Sequence, residues 1–344
     1  MRRSGDRAGR VRGVVRTMLV AGTGMAAAVS VLALAPTAAA ERAASAAPKE
    51  AAAHTVRLNV DRAAEVSTKS TGGGARSGDF TLDQAPDILA RNASTGNLVV
   101  YPHSGVYQGT ATYQPAVVIN GGWGGIRWIG QGDMNADGAP DVVYVDSGGV
   151  MRVAAHTGTF AGLGTLGSGQ VIGTGWGIND LIFTDDFDGD GFTDILARRA
   201  GTGDTNIYFN NGGISGTTTL QAPQLLLSGG NGDVEQTMGD FTGDGLTDLL
   251  FVQSDGVLGL FDFEVGETGA TYTLGYGWGI IDRLTLADVN RDGWIDILGR
   301  RTNGTFYDYR HSTLWAPDAD GIAYSTVQAP QLLGTGWNIN NVIT

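Results

Sequence analysis

The chain has 344 residues, 42% of them hydrophobic, with 55 glycines, no cysteine and a formal charge of −13. That hydrophobic share supports a packed core and excludes wholesale disorder, and the glycines carry no Gly-X-Y period, so collagen is excluded and many turns are implied. The acidic balance excludes a basic nucleic-acid face, and the missing cysteines exclude disulfide staples, thiolate zinc, iron–sulfur clusters and thiol catalysis.

Residues 1–40 read as a signal peptide. Arg2, Arg3, Arg7, Arg10, Arg12 and Arg16 form a basic start, Met18 to Pro36 is apolar and Ala-rich, and Ala38-Ala39-Ala40 offers a cleavage site before Glu41. An uncleaved anchor is the rival reading, although Gly22, Gly24 and Ser30 interrupt the apolar run. Cleavage implies a secreted, extracellular protein, with no membrane insertion of the mature chain, and leaves a net charge of −18. Residues 41–77 are rich in Ala, Ser, Thr and Gly, lack period-2 alternation, and read as a flexible linker.

From residue 78 to 344 the sequence repeats. The motif runs Asp79-Phe-Thr-Leu-Asp-Gln-Ala-Pro-Asp87, then Asp133–Asp141, Asp186–Asp194, Asp240–Asp248 and Asp288–Asp296, at intervals of 54, 53, 54 and 48 residues. Such a period means stacked supersecondary units that cannot bury their apolar faces alone. Trp123, Trp176 and Trp278 each stand ten residues before a motif, the fourth unit has Gly229-Gly-Asn-Gly232 instead, and Trp337 is followed by no motif before Thr344.

Between the markers the pattern is β. In the third unit, Leu181–Phe183, Asp194–Arg198, Asn206–Asn210 and Gln224–Leu227 read as four short strands. Four strands per unit, repeated radially, predict an all-β, five-bladed β-propeller of four-stranded antiparallel blades. The first unit lacks an inner strand and the last residues are a strand without a loop, so Asn338–Thr344 is expected to pair beside Asp87–Arg91 and close the ring.

Each motif places side-chain oxygens at loop positions 1, 3, 5 and 9, with a glycine at position 6 for the sharp left-handed turn, and this pattern suits Ca²⁺. The expected ligands are Asp79, Thr81, Asp83 and Asp87; Asp133, Asn135, Asp137 and Asp141; Asp186, Asp188, Asp190 and Asp194; Asp240, Thr242, Asp244 and Asp248; and Asp288, Asn290, Asp292 and Asp296, for up to five ions. The competing reading is an Asx-rich turn without metal. In the first loop Gln84 replaces the glycine, which makes it the weak member.

Gly239-Asp-Phe-Thr-Gly-Asp-Gly-Leu-Thr-Asp-Leu-Leu250 and Asp186–Asp194 resemble the FG-GAP, or VCBS-type, repeats of secreted bacterial proteins. The resemblance implies a propeller with Ca²⁺ between the first and second strands of each blade, as in the integrin α-subunit head. That family is mostly seven-bladed, whereas this chain has five motifs.

Catalytic signatures are scarce: there is no Gly-x-Ser-x-Gly elbow, His-Glu-x-x-His, P-loop or dinucleotide fingerprint. The expectation is therefore a monomeric, non-enzymatic adhesion module for glycans or cell-surface proteins. The alternatives are an extracellular carbohydrate-active enzyme on a propeller, or a scaffold with no ligand. Blade four is the one conspicuous departure, with Asn231, Asp233 and Glu235. His103, His156 and His311 recur after the third strand, with Asn210 and Phe263 in the other units, either as a ligand-facing ring or as exposed turns of shared ancestry. The tryptophans read as wedges between blades rather than a sugar platform, and Arg91, Arg198 and Arg300 as strand-surface residues.

Overall fold

A computed structural model describes residues 57–58, 78–229, 233–263 and 269–344. The signal-peptide expectation, and all but two residues of the linker, lie outside these. In chain order the strands are β1 (Arg57–Leu58), β2 (Ile88–Asn92), β3 (Leu98–Tyr101), β4 (Val117–Asn120), β5 (Ile126–Gly132), β6 (Asp141–Asp146) and β7 (Met151–Ala154). There follow β8 (Gln170–Gly173), β9 (Asn179–Asp185), β10 (Asp194–Arg199), β11 (Thr205–Tyr208), β12 (Gln224–Ser228), β13 (Asp233–Gly239) and β14 (Asp248–Gln253). The last are β15 (Leu258–Asp262), β16 (Ala270–Gly275), β17 (Ile281–Ala287), β18 (Asp296–Arg301), β19 (Phe306–Tyr309), β20 (Gln331–Gly334) and β21 (Asn340–Ile343).

These strands make five antiparallel blades arranged in a ring: β21-β2-β3-β4, β5-β6-β7-β8, β9-β10-β11-β12, β13-β14-β15-β16 and β17-β18-β19-β20. The expected five-bladed propeller is what the chain forms. Its closure comes from β21, which pairs Ile343 with Ala90, Val342 with Arg91 and Asn340 with Asn92, while Leu89 and Thr344 exchange backbone hydrogen bonds of 3.0 and 2.9 Å. The tail therefore sits where the repeat pattern placed it. One strand is unexpected: within the segment read as linker, Arg57–Leu58 adds to the outer edge of blade three, opposite Leu227 and Ser228.

The core is distributed over the seams. Five apolar clusters form, each drawing residues from two neighbouring blades. Between blades one and two, for example, Phe80, Leu89 and Leu98 meet Ile129 and Val142, all at 4% exposure or less. The residue at loop position 2 (Phe80, Met134, Phe187, Phe241 or Val289) is fully buried in every repeat. This is why one unit alone cannot fold: its apolar faces are finished only by the next blade.

The tryptophans wedge these seams. Trp123, Trp176, Trp278 and Trp337 are buried and pack on Tyr144, Tyr208, Tyr309 and Tyr101 of the following blade, with ring centroids 4.4 to 4.7 Å apart. Each opens a 3-10 turn after a left-handed glycine (Gly122, Gly175, Gly277 or Gly336). Its backbone N–H donates to a hairpin glycine carbonyl of the blade before it, at Gly96, Gly149, Gly256 or Gly304.

Candidate metal loops

In blades two to five the Asp motif joins the first and second strands, and in blade one, whose first strand is the C-terminal β21, it leads into β2; each motif is built as a nested Asx turn. The position-1 aspartate accepts backbone N–H groups from positions 5 and 6 in most loops. Asp133 takes Asp137 and Gly138 at 3.1 and 2.7 Å, Asp186 takes Asp190 and Gly191 at 3.1 and 2.9 Å, and Asp288 takes Asp292 and Gly293 at 3.0 and 2.9 Å. The position-5 aspartate accepts the N–H of position 7, as Asp190 does from Phe192 at 2.9 Å. Position 6 is left-handed throughout, with φ of +88° to +91° at Gly138, Gly191, Gly245 and Gly293. Gln84 is forced to +70° in the first loop, a conformation costing a side-chain-bearing residue about 1–2 kcal/mol. Position 4 is left-handed as well: loops three and four supply Gly189 and Gly243, whereas Leu82, Ala136 and Arg291 bear the strain in the others.

Position 9 has a different role. Asp87, Asp141, Asp194, Asp248 and Asp296 are almost wholly buried at the foot of the loop. Asp194 accepts the Phe187 N–H at 3.0 Å and the Asn210 N–H at 2.7 Å, so it ties the loop start to the end of the third strand. Asp87 and Asp141 likewise accept from His103 and His156, each at 2.7 Å. Burial raises these carboxyls despite the hydrogen bonds: Asp87 and Asp141 to about 7, Asp194 to about 8, and Asp248 well above the usual range. Asp296 is raised by burial and by the nearby Asp308 charge.

Among the described residues, carboxylate oxygens converge in a threesome only in loop three, where Asp186, Asp188 and Asp194 lie within 4.8 Å of one another; Asp190 stands outside that group. Loop four buries the Thr242 hydroxyl and the Asp248 Oδ1 without a hydrogen-bond partner, and loop five does the same to the Asp296 Oδ2. An all-oxygen donor set with raised carboxyls and unmet buried oxygens fits a hard cation such as Ca²⁺.

Two sequence readings need correction. His103, His156 and His311 form neither an exposed ring nor exposed turns; all three are buried. Their Nδ1 accepts the N–H two residues on, from Gly105, Gly158 and Thr313, at 2.9 to 3.0 Å. That leaves the proton on Nε2, which His103 donates to the Val289 carbonyl at 3.1 Å and His156 to the Phe80 carbonyl at 3.2 Å. Asn210 makes the same reach to the Met134 carbonyl at 3.0 Å. Blades one, two and three thereby clasp position 2 of the preceding blade's loop. The sequence held part of the signal, since residues able to donate occupy four of these five places and Phe263 the other, but one strand pattern cannot show which neighbour they touch.

Arg91 and Arg300 are also buried rather than on the strand surface, at 8% and 5% exposure. Arg91 donates to the carbonyls of Trp123 and Ile126, Arg300 to those of Trp337 and Asn340, so both grip the turn leading into the next blade. Arg300 is held in turn by Asp282, at 2.7 and 3.1 Å. Arg198 pairs with Asp180 at 2.9 Å. The flagged Glu235 is raised to about 7 by burial and faces Arg283 at 3.4 Å. Asn231 lies outside the described residues.

A ring of four-stranded blades, each opening on an Asp-rich loop, defines a repeat propeller. Residues 133–196, 186–251 and 240–299 match the FG-GAP-like repeat, which takes in loops two to five. The chain is thus an FG-GAP repeat propeller, with five blades. No curated protein matches the sequence. Among solved structures, it is similar to the BP39L lectin from Burkholderia pseudomallei, with 14% identity and a TM-score of 0.33, over 70% of this chain and 64% of the lectin. So distant a likeness says nothing about a ligand.

Proposed function

We propose that this protein is an exported, calcium-stabilised propeller serving as a binding module for glycans or cell-surface proteins. The observation that carries the calcium reading is the convergence of half-buried Asp186 and Asp188 with buried Asp194 within 4.8 Å in one turn. Sixteen carboxylates sit in five such turns, and each cluster repels itself until a cation neutralises it. A bound Ca²⁺ supplies the positive charge that holds these groups ionised. The chain's own part is to orient them: backbone N–H groups fix the position-1 and position-5 carboxylates, and the buried position-9 carboxylate anchors the loop to the third strand.

The binding-module reading rests on the repeat family and on how the acids are used. Loop aspartates are spent on turn geometry, and Glu235 is ion-paired with Arg283, which leaves no free acid pair for glycosidase chemistry among the residues singled out. Specificity would then lie in the loops at the propeller's ends. Export rests on the basic-apolar start and on a cysteine-free chain that uses cations and ring closure for stability. The test is isothermal titration with CaCl₂ at pH 7.5, followed by a glycan and surface-protein array with Ca²⁺ or chelator beside a hydrolase panel. Micromolar to millimolar calcium binding and calcium-dependent capture are expected. Turnover of a polysaccharide, or no calcium uptake at all, would overturn the corresponding part.

A further inference from the structure

The outer strand of a propeller blade is an open edge, with a row of backbone groups that invites another strand. Four of the five edges here are covered in the same way, by the following blade. The 3-10 turns Gly162–Gly164, Gly216–Thr218, Tyr324–Thr326 and Gly109–Ala111 pack on β4, β8, β16 and β20 respectively. Each turn belongs to the connection between third and fourth strands: residues 102–116, 155–169, 209–223 and 310–330.

Blade four is the exception. Its connection is only residues 263–269, half the usual length, and this accounts for the short 48-residue interval in the repeat. The edge it would have covered is β12, in blade three. That is the edge on which Arg57–Leu58 adds as a fifth, antiparallel strand. The surrounding sequence, Thr55-Val-Arg-Leu-Asn-Val60, alternates polar and branched aliphatic residues, the pattern of a half-buried strand. The same seam also lacks the tryptophan, because Gly229–Gly232 has none.

We propose that the outer edge of blade three is a strand-addition site, left open by the shortened blade-four connection, and that its occupant is this chain's own segment around Arg57–Leu58. The recognised chemistry is an extended peptide that satisfies the β12 backbone through an antiparallel ladder. A segment held by so short a ladder is exchangeable, so the edge takes the same peptide supplied in trans when the tethered one is disabled.

The experiment is residue-resolved hydrogen exchange on the full chain and on its Leu58→Pro variant, since proline removes a ladder donor and disfavours the strand. Amides of Leu225–Ser228 should exchange at least about tenfold faster in the variant, with those of β4 and β8 unchanged. A synthetic peptide of residues 52–64 should restore the protection, and the same peptide with proline at 58 should not. Unchanged exchange at Leu225–Ser228 would overturn the proposal. So would equal acceleration across all the outer strands, or protection restored by the proline peptide.

Discussion

In the metal-free protein the fold's stability should depend on pH in the direction opposite to that of an ordinary salt-bridged protein. Asp87 and Asp141 titrate near 7 in the fold and Asp194 near 8, against an ordinary value of 3.8, because burial disfavours their charged forms. The unfolded chain ionises them near pH 4. Without metal the folded state therefore holds extra protons between about pH 4 and 8; its stability is greatest below pH 4 and is lost as pH rises through 7 and 8. Each tenfold change in proton affinity is about 1.4 kcal/mol, so a single such carboxyl, forced to ionise at pH 8, costs about 4 kcal/mol. At about 2–4 °C per kcal/mol for a domain of this size, one fully expressed group lowers Tm by about 10 °C. A cation replaces the proton and reverses the trend, since its affinity rises as the ligands ionise. Thermal melts by circular dichroism at pH 5, 6, 7 and 8, in chelator and in millimolar CaCl₂, measure both arms. A chelated protein whose Tm is flat or rises from pH 5 to 8 would refute the account of the position-9 carboxylates.

Replacing Gln84 by glycine, at φ +70°, should raise stability by about 1 kcal/mol and tighten the first loop's calcium binding, read by melting and by competition titration against a Gln84→Ala control. Loop three, with four acids, should fill first and loop one last in a site-resolved titration. Deleting Asn338–Thr344 removes β21, strips the cover from Ile88 and Ala90 and should drop Tm sharply with self-association in sedimentation velocity; a monomer melting like the parent would disprove the closure. Asp308→Leu should raise Tm at pH 8 by several degrees and by less at pH 5. Asp308 is a fully buried carboxylate, raised by burial, at a position where the other blades carry Val100, Val153, Ile207 and Leu260. A fall in Tm at both pH values would show instead that the carboxylate holds the seam together.

Blade number, strand grammar and closure were all legible because they are periodic: five Asp motifs, five strand sets and a complementary defect at the two ends of the repeat region. The tryptophan wedge was legible too, since a residue recurring once per unit fits a seam. What escaped was everything that depends on the neighbour. Whether His156 points to solvent or to the Phe80 carbonyl is decided by the adjacent blade, and a strand pattern does not contain that blade. Arg91 was misread for the same reason, because its carbonyl partners lie more than 30 residues downstream. The alternation at Thr55–Val60 was missed in an Ala- and Ser-rich stretch, and the motif spacing alone does not say what the shorter 48-residue interval leaves out.

The clasps divide the ring unequally. Asn210 reaches from blade three to blade two, His156 from two to one, and His103 from one to five. Between five and four the His311 Nε2 has no hydrogen-bond partner, and between four and three the place is taken by Phe263, which has nothing to donate. The molecule is thus an arc of four laced blades with a keystone between its ends that lacks the inner clasp on both sides; it is held by apolar packing, by the Thr247 hydroxyl donating to Asp185 at 2.8 Å, by Arg198 and Arg283 reaching Gln236 and Glu235 at 3.3 and 3.4 Å, and by backbone bonds of Thr273 to Gly321 and Ala323. When such a ring breathes, the keystone loosens first and the laced arc persists. Blade four is accordingly where a protease would find its first cut and where an inserted loop would do least harm to the rest.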